Sequence, residues 1–227
     1  YPTSKAAAET EVLSANGKNF ATIALRPHLV WGPGDKNVIP RVLALARSGR
    51  LRIIGPGENK VDVTHIANVI DAHLLAEGAL LTGSSAPFRP VAGVADPGQD
   101  AVEAPGSATP PTTASATGSR PPQNPGGQAY FITNGEPVLL WPWINDLLKA
   151  LGEPPVTKHV PLSLAYTAGG VLEAAWRVLS LKGEPPMTRF VAKEMATDHW
   201  FDISAARRDL GYHPLVTVAD GLRELVA

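Results

Sequence analysis

Residues 83–127 divide this 227-residue chain. They hold 9 of its 22 prolines and 7 of its 21 glycines, and Phe88 is their one aromatic side chain. Ser, Thr and Ala fill most of the rest. Such a stretch buries too little apolar surface to offset the entropy of ordering it. It reads as a disordered insertion, rich in Pro, Gly, Ala and Ser, in a surface connection. The fold must then be built from two parts, residues 1–82 and 128–227.

Within both parts short apolar runs alternate with helical patterns. Helices are expected over residues 2–15, 38–46, 66–81, 140–151, 162–181, 188–196, 204–210 and from 218 onward. Strands are expected over residues 20–25, 51–54, 61–64, 129–133, 156–160 and 199–203. Arg26-Pro27 is read as ending the first strand, and Gly169-Gly170 as weakening the long helix around them. On the 66–81 helix, Ile66, Val69, Ile70, His73, Leu74 and Glu77 form the expected face. Alternation of this kind is the signature of an α/β fold with a largely parallel sheet.

Charge and composition exclude several classes. Twenty Lys and Arg against 21 Asp and Glu give a net charge of −1, so bulk charge attracts no nucleic acid. The absence of cysteine rules out a disulfide framework and thiolate zinc sites, and suits a reducing, cytoplasmic setting. No transmembrane segment or signal peptide is read, and peripheral membrane contact by the 162–181 helix is left open. The chain begins with Tyr1 and not Met, and it reads as a fragment whose missing part lies upstream.

The chemistry-bearing stretch is Tyr1-Pro2-Thr3-Ser4-Lys5. Tyr and Lys four apart on a helix share one face. A fixed ammonium beside a phenol lowers a pKa that is otherwise about 10, giving a proton donor and acceptor usable near neutrality. Alone, the pattern is common in helices. Gly32-Pro33-Gly34 and Gly55-Pro56-Gly57 are poor phosphate loops, because proline removes the N–H groups a phosphate needs. His65 and His73 are eight apart with no third ligand near, so no metal site is expected. Asp202 reads as a cap for the helix beginning at Ser204.

Joined to the segments downstream, the pentad is distinctive. Tyr1-Pro2-Thr3-Ser4-Lys5-Ala6 is succeeded by Leu25-Arg26-Pro27, Trp31-Gly32-Pro33-Gly34-Asp35 and the helix over 68–76. Then come Ala129-Tyr130-Phe131-Ile132-Thr133-Asn134-Gly135-Glu136-Pro137, Trp200-Phe201-Asp202-Ile203-Ser204 and Leu210-Gly211-Tyr212-His213-Pro214. In this order the segments resemble the extended short-chain dehydrogenases/reductases, in their 3β-hydroxysteroid dehydrogenase-like branch. The wording around Arg26-Pro27-His28-Leu29-Val30-Trp31 and Glu184-Pro185-Pro186-Met187 is nearest a bacterial set of reductases in that branch.

The resemblance implies the carboxyl-terminal part of a Rossmann-type parallel sheet with a small helix-rich substrate domain. Residues 1–82 would be the second half of a dinucleotide-binding domain with its catalytic helix. Residues 128–227 would supply substrate-domain segments and the terminal sheet and helix elements. The implied reaction interconverts a 3-hydroxy and a 3-oxo group on a large apolar substrate, a 2-alkyl-3-oxoalkanoate or a 3β-hydroxysteroid or sterol. The cofactor would be NAD or NADP. Tyr1 would be the general acid/base and Lys5 would act on Tyr1 and on the nicotinamide ribose. Pro27, His28, Leu29 and Val30 would line the nicotinamide, and Trp31 and Asn37 would begin the substrate loop. Arg26 is expected to have a structural partner and not a substrate. A homodimer is expected by analogy with the fold. Alternatives are a sugar-nucleotide epimerase or dehydratase of the same fold, and a non-catalytic truncated fragment.

Overall fold

The computed structural model describes residues 2–82, 125–183 and 185–226. Tyr1 and nearly all of the expected insertion therefore lie outside the described residues. In chain order the elements are α1 (Pro2–Ser14), β1 (Ile23–Pro27), β2 (Val30–Trp31), α2 (Val38–Arg47), β3 (Ile53–Ile54), β4 (Lys60–Val61), β5 (Thr64–His65) and α3 (Ile66–Thr82). After the insertion come β6 (Gln128–Ile132), β7 (Val138–Leu139), α4 (Leu140–Ala150), β8 (His159–Val160), α5 (Leu162–Val178), α6 (Arg189–Glu194), α7 (Ser204–Leu210) and α8 (Val218–Glu224). Among the described residues no helix is long and apolar enough to cross a membrane.

The chain forms two compact units, each built from three stretches of sequence. The first comprises Tyr1–Val30, Thr64–Gly135 and Phe201–Thr217. Its centre is the parallel pair β1–β6, with Leu25 opposite Tyr130 and Arg26 opposite Phe131. Because side chains alternate across a strand, Leu25 and Tyr130 share one face and Arg26 and Phe131 the other. The first face builds the core: Ala72, Leu75, Ala76 and Ala79 of α3 meet Tyr130, Ile132, Ala206, Leu210 and Tyr212. The alanines let α3 lie close to the strands. Each fully buried large side chain here contributes about 1.5–3 kcal/mol. Helix α1 packs on β1.

Three expectations are corrected in this unit. The first strand starts only at Ile23, after a tight turn in which Gly17 and Phe20 exchange backbone bonds, and runs through Arg26 to Pro27 instead of stopping before them, because β6 pairs with both. Pro27 is its last residue, where a missing N–H is tolerated. The buried face of α3 is Val69, Ala72, Leu75, Ala76 and Ala79, leaving Ile70 55% and Leu74 41% exposed. The segment 199–203 forms no strand. It contributes a single bridge, His199 to Val61, at the point where the chain leaves the second unit.

The second unit comprises Trp31–Val63, Glu136–Trp200 and Val218–Ala227. It holds the parallel pair β3–β8 and the antiparallel pair β4–β7. Helix α4 buries Trp141, Trp143, Ile144, Leu147 and Leu148, and Asn145 brackets the backbone of Val156 with one bond from each amide atom. Helix α5 passes unbroken through Gly169-Gly170. A Cβ on Gly169 would sit 2.7 Å from the backbone N of Arg189, so glycine there permits the close approach of α5 and α6.

The fold places a buried phenol at the end of β6. Tyr212 is fully buried and donates to the Thr133 carbonyl at 2.8 Å. Tyr212→Phe leaves that carbonyl without its partner. The expected cost is about 1–3 kcal/mol, read from urea unfolding of wild type and variant at matched slope.

Candidate functional site

The carboxyl ends of parallel strands are where open α/β sheets bind ligands, and β1 ends at Pro27. Pro27 is exposed, and His28, Leu29 and Val30 are half-buried. Leu29 has φ 41°, a left-handed conformation that costs a branched side chain about 1–2 kcal/mol. Neighbouring backbone must hold it there. Thr64 does so twice. Its N–H donates to the Leu29 carbonyl at 3.1 Å, and its Oγ1 donates to the His28 carbonyl at 2.5 Å. Thr64 is itself fully buried.

Beside Thr64 two asparagines close the same end of the unit. Asn134 Oδ1 accepts from His65 N at 2.9 Å and from Asn68 Nδ2 at 2.8 Å. Asn134 Nδ2 donates to the Val216 carbonyl at 2.9 Å. Asn68 Oδ1 accepts from Leu215 N and Val216 N, at 2.8 and 2.9 Å. Sequence reasoning assigned none of Thr64, Asn68 and Asn134 a role. For Thr64 and Asn68 the available signal was a polar residue within an expected strand and helix, whereas Asn134 stood in an expected turn and gave none.

Lys5 is exposed on α1. One turn along, both carboxylate oxygens of Glu9 are taken by Arg26, at 2.6 Å from Nε and 2.5 Å from Nη2. Arg26 thus has a structural partner, as expected. Its hydrogen bonds hold the Glu9 carboxyl below its ordinary pKa of 4.5, outweighing the opposing effect of partial burial. Tyr1, the other half of the expected pair, lies outside the described residues.

Trp31 and Asn37 belong to the second unit. Trp31 is 1% exposed and meets Trp143 edge-on at 5.4 Å. Asn37 is exposed, and its N–H donates to Asp35. Asp35 also accepts from Val38 N and Ile39 N, so it satisfies the start of α2. The Gly55-Pro56-Gly57 turn is a packing element: a Cβ on Gly57 would lie 2.7 Å from Ile53 Cγ2. Asp202 accepts from Ser204 N at 2.8 Å, but the cap position of α7 is Ile203, so Asp202 satisfies the first amide from one residue ahead of the cap and is not itself the expected cap.

The sequence of the chain is similar to those of known proteins. Residues 1–92 match the 3-beta hydroxysteroid dehydrogenase/isomerase family. The likeness continues through the rest of the chain. A 2-alkyl-3-oxoalkanoate reductase of Stenotrophomonas maltophilia is 42% identical over all of this chain and 57% of its own length. A 3beta-hydroxysteroid-dehydrogenase/decarboxylase of Arabidopsis thaliana is 31% identical over all of this chain and 44% of its own. The chain thus spans about half the length of the curated relatives it matches. A crystal structure of a dTDP-glucose 4,6-dehydratase from Streptomyces venezuelae is 18% identical, with a TM-score of 0.55 over all of this chain and 49% of that one. It identifies the α/β Rossmann-type fold.

Two outcomes test the local geometry. Thr64→Val removes the hydroxyl under His28 at nearly constant shape, and an expected loss of about 1–3 kcal/mol is read by chemical unfolding. The Glu9–Arg26 pair contributes fully above pH 4.5, and its contribution is lost as pH falls through the lowered Glu9 value. Its exposed geometry limits that contribution to about 0.2–1 kcal/mol. Unfolding free energy measured from pH 7 down to pH 3 should therefore fall less steeply in Glu9→Gln than in wild type.

Proposed function

We propose that this chain carries the catalytic helix, cofactor loop and substrate segments of an NAD(P)-dependent oxidoreductase. The protein would interconvert a 3-hydroxy and a 3-oxo group on a large apolar substrate, of the 2-alkyl-3-oxoalkanoate or 3β-hydroxysteroid class. The observation that carries this reading is the likeness to proteins named as reductases and dehydrogenases along the whole chain, together with the Tyr1-Pro2-Thr3-Ser4-Lys5 sequence. Residues 1–82 would then be the second half of the dinucleotide-binding domain, and residues 128–227 would supply substrate-domain and terminal elements. The protein would work as a cytoplasmic homodimer.

The turn after β1 fits a nicotinamide. It is partly open, stands at the carboxyl end of a parallel strand, and is held in a strained shape by a buried hydroxyl. Pro27, His28, Leu29 and Val30 would line the ring. Bound there, the cofactor supplies or takes a hydride. The chain's own residues handle the proton. Tyr1 Oη donates it to the substrate oxygen in reduction and takes it back in oxidation. The Lys5 ammonium, four residues on, favours the phenolate and would hydrogen-bond the ribose. Trp31 and Asn37 would begin the substrate loop, with the buried Trp31 ring as its anchor.

The test uses the full-length protein that contains this chain. Reduced-cofactor absorbance is followed with a 2-alkyl-3-oxoalkanoate and a 3β-hydroxysteroid, and conversion of a nucleotide-linked hexose, which is redox-neutral overall, is followed by chromatography of the products. Turnover of one of the first two, and a loss of about 10²–10⁴-fold in Tyr1→Phe, are expected. Lys5→Met should move the oxidation limb of the rate profile to higher pH, because loss of the ammonium raises the pKa of Tyr1. Turnover confined to the hexose, or full activity in Tyr1→Phe, would overturn the reading.

A further inference from the structure

Helix α1 carries Lys5 of the proposed catalytic pair, and within this chain its described contacts to the sheet are largely polar. No described side chain of α1 is buried, and Ser4, Lys5, Ala6, Ala7 and Ala8 are all exposed. Its far end is anchored: Thr22 Oγ1 donates to the Val12 carbonyl at 2.9 Å. Ahead of that anchor, the bidentate grip of Arg26 on Glu9 ties the helix to β1. Lys5 and Glu9 are i and i+4, on the same face. A planar fork on both oxygens of a carboxylate sets its orientation as well as its distance. It therefore resists rotation of α1 about its own axis.

Arg26 is held in turn from behind. Its guanidinium lies 5.0 Å from the centre of the Phe131 ring, its register partner across β1–β6. Phe131 stacks on Phe201 at 4.1 Å with 7° between the planes. Phe201 meets His28 edge-on at 5.4 Å. Glu9, Arg26, Phe131, Phe201 and His28 thus form one continuous series of contacts inside the first unit. It starts one turn beyond Lys5 and ends on the turn assigned to the nicotinamide.

We propose that Arg26 is a positioning residue, which sets the rotation of α1, and so the direction of Lys5, on the sheet and ties that helix to the His28 turn. The catalytic part of this proposal rests on the oxidoreductase reading above, whereas the mechanical part does not. As an exposed ion pair, Glu9–Arg26 adds little to global stability. Its loss should therefore appear in local order and in rate far more than in the unfolding midpoint.

The experiment compares Arg26→Gln, Arg26→Lys, Glu9→Gln and the exchanged pair Glu9→Arg with Arg26→Glu, all in the full-length protein. Amide hydrogen exchange reports on α1 whether or not the protein is active. Amides of residues 5–9 are expected to exchange about two- to fivefold faster, the range that an exposed ion pair supports, in Arg26→Gln and Glu9→Gln alike. Exchange in α3 should not change. Kinetically, kcat should fall about 10- to 100-fold with the KM for cofactor within about twofold, the pattern of lost alignment and not lost binding. Arg26→Lys, with the charge but no fork, should not recover kcat, and the exchanged pair should recover part of it. Unchanged exchange over residues 5–9, or full kcat in Arg26→Lys, would overturn the proposal. Full activity in Tyr1→Phe would instead remove the oxidoreductase reading and the catalytic part with it, and exchange would still decide the mechanical part.

Discussion

Asn134 and Asn68 hold three remote stretches of sequence at one point. Segments 64–68, 133–135 and 215–216 meet there through side-chain amides that are almost wholly buried. Buried amides are costly unless each polar atom finds a partner, at about 1–3 kcal/mol for each one left unpaired. Here both oxygens accept twice and both nitrogens donate. The start of α3 and the end of β6 are thereby locked to the chain just after Tyr212. Thr64 sits at the edge of this cluster, so its hydroxyl presses on His28 from a rigid base. The strained backbone of Leu29 depends on that rigidity.

Much of the helical content was legible in the sequence because helices are local. Asn16-Gly17 after α1, Gly211 after α7 and the apolar spacing of α4 each act within a few residues of the element they define. The strands were less legible because pairing is not local. The limits of β1 are set by Gln128–Ile132, a hundred residues away, and by a turn that consumes Phe20. The face of α3 was misread for a related reason. Ile70 and Leu74 are the larger apolar residues, but the strands are met by Ala72, Ala76 and Ala79, whose small size allows close contact. Phe20, Ile23, Leu25, Leu80 and Leu81 instead line an open apolar groove.

The candidate site was proposed from order and wording, and its construction was not legible. Lys5 and the Arg26-Pro27-His28 stretch were singled out in that way. What holds them could not be read, because every support comes from a distant part of the chain. Thr64 reaches His28 across 36 residues and Arg26 reaches Glu9 across 17. Phe131 and Phe201 stack although nothing in their local patterns marks them as neighbours. Backbone strain at Leu29 is equally silent, since leucine carries no preference for a positive φ that would announce it.

The two supports differ because they carry different loads. The His28 turn is held from below by buried hydrogen bonds, which ions in solution do not screen. Within this chain no described side chain of α1 is buried, and polar contacts at its flank orient it. The Glu9–Arg26 fork supplies them at the cost of exposure, with 40% of the Arg26 side chain and 25% of that of Glu9 open to solvent. Exposed charges are screened over about 8–10 Å at physiological ionic strength. The stacked series through Phe131 and Phe201 matters for that reason. It confines the guanidinium between a ring and a carboxylate, so that geometry and not long-range attraction keeps the fork aligned.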